Sequence, residues 1–142
     1  MSKVYTDKNS FLNDNNALNT GLPYTDDISV LGEELTVGGT VFKNRLACQA
    51  MEGCDGTADG RPDGLTRRRY GRFAKGGAGT IWFEATAVMK EGRANPRQLY
   101  INDSTLDSFK RQVEEIKKTG MRENGFEPVV IMQATHSGRY SR

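Results

Sequence analysis

The chain has 142 residues, 36% of them hydrophobic, and its 20 basic and 18 acidic side chains leave a net charge of +2. That near-neutral balance argues against a dedicated nucleic-acid or membrane surface, and the length suits one domain. No apolar leader follows Met1, no apolar run approaches a membrane span, and two cysteines, Cys48 and Cys54, make no disulfide framework, so a cytoplasmic protein is expected.

Residues 1–28 are rich in Asn, Asp, Ser and Thr with scattered apolar side chains, and read as a mobile or partner-docked arm ahead of a folded part at 29–142. Residues 28–42 hold short β-prone pieces separated by Gly32 and by Gly38-Gly39, the pattern of a small hairpin that caps one end of the domain. Residues 43–51 (K-N-R-L-A-C-Q-A-M) form the first candidate buried strand, followed by a Gly- and Asp-rich loop at 52–64. A helix is predicted from an N-cap at Thr66, with Leu65 and Tyr70 as a hydrophobic staple and Tyr70, Phe73 and Ala74 as its inward stripe. Arg67, Arg68, Arg69, Arg72 and Lys75 read as its solvated outer face, and Gly76 or Gly77 ends it.

Residues 79–88 (G-T-I-W-F-E-A-T-A-V) are the stretch around which the rest is organised. A continuous apolar run bounded by glycines, without in/out alternation, predicts a strand buried on both faces that turns polar at Glu84. After a loop at 87–102, a second helix is predicted from Asp103 or Ser104, with Leu106, Phe109, Val113 and Ile116 at helical spacing and Gly120 as its stop. A third strand at 129–134 (V-V-I-M-Q-A) runs into Thr135 and His136.

Strands separated by single amphipathic helices imply right-handed crossovers and a parallel sheet, whose ligands sit at the carboxyl ends of the strands. Those ends carry Gln49 to Glu52, Glu84 to Thr86, and Gln133 to His136. Three strands cannot close a barrel, which takes eight strands and roughly 250 residues.

Four pieces in order carry a resemblance: K-N-R-x-x-x-x-x-M at 43–51, R-Y-G-R-F-A-K-G-G-A-G-T-I at 69–81, E-A-T-A-V-x-x-E-G-R at 84–93 and Q-A-T-H-S-G-R at 133–139. Over residues 43–142 the chain resembles the N-terminal part of the old yellow enzyme family of flavin-dependent ene-reductases. The resemblance implies an α/β fold, the N-terminal portion of a (β/α)8 TIM barrel with a hairpin and about three β/α units, incomplete as given. It further implies FMN as cofactor and NAD(P)H as reductant, with hydride passing through the flavin to an activated C=C. By position, Ala50, Met51 and Glu52 resemble the segment lining the flavin ring, Ala85 resembles a main-chain contact, and Gln133 resembles the glutamine that bonds the pyrimidine edge. A carboxamide suits that edge because it offers donor and acceptor together. No catalytic residue of the family falls in this chain. Its substrate-orienting His/Asn pair, tyrosine proton donor and phosphate-gripping loops lie on later strands, so the expected partner is the remainder of the barrel or a second copy.

Two positions depart from the family: Ala50 stands where proline is usual, and Glu52 where a small Cys or Thr is usual. A carboxylate beside the ring disfavours the reduced flavin unless it is protonated or turned away. Other residues have plainer readings. Gln133 also suits a polar strand terminus; His136 suits a structural hydrogen bond better than acid–base work, and Glu84 a buried, paired carboxylate better than a general base. Cys48 reads as a core thiol and Cys54 as a loop residue, with no metal site expected. The alternative function is a non-catalytic subunit or an inactive fragment. A flavodoxin-like domain fits less well, because no phosphate loop follows the first strand.

Overall fold

The computed structural model of the chain describes residues 4–141, and three parallel strands form its centre. They are β3 (Ala47–Cys48), β4 (Thr80–Ala87) and β5 (Val129–Thr135), with β4 in the middle. β3 pairs Ala47 with Thr80 and Cys48 with Ile81, and β5 starts by pairing Val129 with Thr80. The first strand is therefore much shorter than the predicted 43–51, keeping only these two ladder pairs with β4.

Asn44 explains part of that shortening, since its side chain is used for cross-linking. It donates to the Gly77 carbonyl (2.7 Å) and accepts from the Gly79 (2.7 Å) and Leu46 (3.1 Å) amides. A Cβ on Gly79 would sit 2.8 Å from the Asn44 carbonyl oxygen, so only glycine allows this approach.

Helix α2 (Gly64–Lys75) begins one turn earlier than predicted. Asp63 is its N-cap, and Thr66 closes the capping box from the third helical position. Leu65 is half exposed, so the predicted staple does not form. The stripe does: Tyr70 and Ala74 are buried, and Phe73 meets the Tyr70 ring edge-on at 5.6 Å. Tyr70 stacks on Phe83 of β4 at 4.3 Å and 11°, and Phe109 meets Phe83 at 6.0 Å. With Ile81, Leu99 and Ile116 these rings make the hydrophobic core.

Phe109 and Ile116 belong to helix α3 (Leu106–Asn124), which runs through Gly120 and ends at Gly125 in the left-handed conformation (φ 77°). Gly120 is a contact glycine: a Cβ there would lie 2.5 Å from Pro128 Cδ. Close packing is why this glycine does not stop the helix.

β4 is not buried on both faces as predicted. Ile81 and Phe83 are covered by the helices, but Trp82 is 42% exposed on the opposite face. That face is covered only by the hairpin β1 (Leu35–Val37) and β2 (Thr40–Phe42), which turns through Gly38 and Gly39 at positive φ. Between hairpin and sheet lies an apolar hollow of about 410 Å³ lined by Leu35, Val37, Phe42, Leu46, Trp82 and Ile131. A second hollow of about 410 Å³ runs beside α3 and β5, among Phe83, Ile101, Phe109, Val113, Val130 and Met132.

The segment predicted as an arm holds a helix, α1 (Lys8–Ala17), where no element was expected. Its stability is local. Asp7 and Ser10 form a capping box, and Phe11 sits between the Tyr5 and Tyr24 rings at 5.4 and 5.7 Å. The helix buries none of its residues, which is why apolar periodicity did not reveal it. Residues 1–3 of the predicted arm, and Arg142, lie outside the described residues. Among the described residues no helix is long and apolar enough to cross a membrane.

Candidate functional site

The carboxyl ends of the three parallel strands lie on one rim, opposite the hairpin. The ladder between β4 and β5 is regular up to Phe83 and Met132, then resumes at Thr86 and Ala134. Two residues of β4, Glu84 and Ala85, thus stand opposite the single Gln133. This is a β-bulge, a device that re-aims side chains at the end of a strand. Ala85 and Gln133, both expected at the site, are the residues that form it. The Glu84 amide, freed from the ladder, donates to the buried Tyr70 hydroxyl at 2.6 Å. Burial and the Glu84 charge push the Tyr70 hydroxyl above the ordinary tyrosine range, so it stays a neutral phenol.

Glu84 is 1% exposed. A buried carboxylate needs a partner, and Arg69 of α2 supplies it at 2.7 Å. The same guanidinium nitrogen reaches Asp55 at 2.9 Å, and the other terminal nitrogen donates to the Met51 carbonyl at 3.4 Å. Burial alone would lower the Arg69 guanidinium, but hydrogen bonds and charge from Glu84 and Asp55 outweigh it and hold the group above its ordinary value. The second Glu84 oxygen accepts from the Gly53 amide at 2.9 Å. Thr66 donates to Asp55 at 2.7 Å. One strand carboxylate and one helix arginine therefore pin the loop that follows β3. Arg69 is the exception to the predicted solvated face of α2, and Glu84 itself was the signal, since an ionised group in an apolar strand implies a cation nearby.

That loop holds Ala50, Met51 and Glu52. Ala50 is half-buried and Met51 is exposed. Glu52 accepts from Gln98 Nε2 at 2.9 Å, and Gln98 Nε2 also reaches the Ala85 carbonyl at 3.2 Å. Burial first, and then the Glu84 charge, raise the Glu52 carboxyl above the ordinary glutamate range. Cys54 follows in the left-handed region (φ 48°), with Asn95 Nδ2 3.3 Å from its sulfur. Burial raises the Cys48 thiol, in keeping with an unreactive core cysteine.

The structure thus brings Glu52 and Ala85 together through Gln98, and sets Gln133 across the bulge from Ala85. The Gln133 side chain is exposed and makes no hydrogen bond among the described residues. His136 accepts from the Gly138 amide through Nδ1 at 2.9 Å, and its ring lies where a Gly92 Cβ would be, 2.8 Å away. Neither apolar hollow includes any of the five predicted site residues. Sequence reading missed Arg69, Asp55, Gln98 and Arg93. Arg93 is buried and donates to the carbonyls of Ala58 (2.9 Å), Gln98 (2.7 Å) and Pro96, fastening the loop between β4 and α3.

No family model matches the sequence. The chain is 31% identical over 116 residues to an NADPH dehydrogenase of Geobacillus sp. (strain WCH70), covering 80% of this chain and 32% of that protein. In fold it matches a 2-naphthoyl-CoA reductase with a TM-score of 0.71 at 22% identity, covering 80% of this chain and 16% of the other. It also matches the old yellow enzyme from Pichia sp. AKU4542 with a TM-score of 0.68 at 23% identity, covering 79% and 28% of the two chains. The chain spans about a third of the length of the curated relatives it matches. These comparisons agree with the resemblance read from the motifs, and place the three strands as part of a barrel fold that they do not close.

Proposed function

We propose that this chain, a counterpart of the N-terminal part of the old yellow enzyme family, supplies the first strands and the ring-side half of the flavin site of an FMN-dependent NAD(P)H oxidoreductase. The observation that carries this reading is the rim itself: a free carboxamide at Gln133, a bulge at Ala85 and a pinned loop at 50–52, on the side where parallel sheets bind ligands.

The donor set fits FMN on its ring side. Gln133 has donor and acceptor unengaged, as a pyrimidine edge requires, and Met51, after β3 on the other side of β4, offers exposed apolar surface at the same end of the sheet. Ala50 and Glu52 complete the ring-lining segment, and Ala85 gives the main-chain contact. Glu52, the residue least suited to a flavin, has its carboxyl engaged by Gln98. FMN held by Ala50, Met51, Glu52, Ala85 and Gln133 would supply hydride-transfer chemistry between NAD(P)H and an activated C=C. What this chain's residues contribute is binding and orientation. Arg69 and Glu84 hold the loop that carries Met51, and Tyr70 holds the bulge. The proton donor, the substrate-orienting pair and the phosphate grip come from the polypeptide that completes the barrel, in a cytoplasmic enzyme.

The test is the visible absorbance of the purified protein together with intact-mass analysis of everything that co-elutes. A flavin spectrum with a second polypeptide, or with a longer form of this one, supports the reading. A colourless single chain that gains no flavin spectrum on addition of FMN points instead to a non-catalytic piece.

A further inference from the structure

Gln98 is 1% exposed, yet its side chain is a carboxamide. Burying such a group is costly unless its hydrogen bonds are made. Here they are made to three different segments. Oε1 accepts from the Ala94 amide at 2.6 Å, and Nε2 donates to Glu52 Oε1 at 2.9 Å and to the Ala85 carbonyl at 3.2 Å. The orientation of the amide is dictated by the backbone, since the Ala94 N–H can only donate and the Ala85 carbonyl can only accept. Nε2 is thereby committed to face Glu52. The backbone behind it is fixed as well: Arg93 holds the Gln98 carbonyl, the Ala87 amide donates to the Leu99 carbonyl (2.8 Å), and the Ile101 amide donates to the Ala87 carbonyl (3.0 Å).

Glu52 has few other choices. The charged group that acts on it is Glu84 on β4, a like charge, and no ion pair to Glu52 is present among the described residues. Arg69 is spent on Glu84 and Asp55. Cys54 Sγ lies 3.9 Å from the second Glu52 oxygen, a weak contact. The neutral donor of Gln98 is the strongest partner that Glu52 has.

We propose that Gln98 is a positioning residue of the candidate site: its buried carboxamide clasps Glu52 to the Ala85 carbonyl, fixing two ring-lining segments with one side chain and keeping the Glu52 carboxyl bonded to protein. This deepens the flavin-site reading and rests on it for its meaning, but the clasp is measurable without flavin.

The experiment is a pH titration of the Gln98 side-chain amide by ¹H–¹⁵N NMR on the protein as purified, with Glu52→Gln as the control and FMN binding measured in parallel. The Gln98 amide resonance is expected to titrate with a midpoint above the ordinary glutamate range, and to be flat in Glu52→Gln. FMN affinity should fall about tenfold in Gln98→Met, which frees the Glu52 carboxylate to turn toward the ring site, and return in the Gln98→Met/Glu52→Gln pair, since one lost charge-assisted hydrogen bond corresponds to roughly that factor. A merely structural glutamine would not be rescued by a change at Glu52. An amide insensitive to pH, or one that still titrates in Glu52→Gln, overturns the clasp, whether or not Gln98→Met folds. A wild-type protein that shows the titration but takes up no FMN even with the polypeptide that completes the barrel overturns the flavin reading and leaves the clasp standing.

Discussion

Trp82 and Phe83 are neighbours in one strand with opposite fates. Phe83 is sealed between the rings of Tyr70 and Phe109, whereas Trp82 faces a hollow that only a three-residue-stranded hairpin partly roofs. The helix-facing layer is closed around Phe83 by caps and interlocking rings and stays open only beside α3 and β5, whereas the opposite face is open at its centre. Apolar surface left open in this way agrees with a chain that spans about a third of the length of the curated relatives it matches.

The largest expected effect is on the helix-facing side. Phe83→Ala should cost about 3–5 kcal/mol in unfolding free energy, measured by denaturant titration, because it empties the centre of the ring stack. Trp82→Ser, one residue away, should cost less than about 1 kcal/mol in the same assay and should reduce self-association in sedimentation. Equal losses at the two positions would break the comparison.

Next in size is the link between layer and rim. Arg69→Met leaves Glu84 buried without its cation, and should cost about 2–3 kcal/mol. That is below the roughly 3–5 kcal/mol typical of a fully buried pair, since Arg69 keeps some solvent contact. Hydrogen exchange should speed up at Gly53, whose amide Glu84 holds, and hardly at all in α3.

Smallest is the effect of Glu52. Its carboxyl is raised in the fold, by burial and then by Glu84, so the stability tied to its protonated form is full below the ordinary glutamate range and is lost as pH rises through the raised value. Glu52→Gln should remove that decline, leaving the melting temperature flatter across this window and slightly higher at neutral pH. An unchanged pH profile would show that the carboxyl is not perturbed.

Much of this organisation was legible in the chain. The β/α alternation, the Tyr70-centred stripe and the hairpin glycines each follow from local chemistry and periodicity, and the structure has them. What escaped depends on contacts distant in sequence. Gly120 looks like a helix stop until Pro128 is seen against it. The bulge at Glu84 and Ala85 is set by pairing with β5, about fifty residues away in the chain. Arg69 was hidden in a run of arginines whose other members are exposed, and Gln98 in a loop without periodicity. Helix α1 escaped for the opposite reason, because its caps are local but it has no buried stripe. Strand polarity pointed to the rim on which the structure sets Ala85 and Gln133, while the side chains that brace that rim were visible only in three dimensions.

The central claim, that the face opposite the helices is open in this chain by itself, has a built-in reporter, because Trp82 is the only tryptophan. The decisive measurement is its fluorescence emission and acrylamide quenching over a dilution series, with and without the polypeptide that completes the barrel. The account predicts red-shifted, readily quenched emission in the dilute lone chain, moving to the blue and becoming shielded on co-assembly. Emission that is already blue and protected at the lowest concentration, and unchanged by the completing polypeptide, would contradict it.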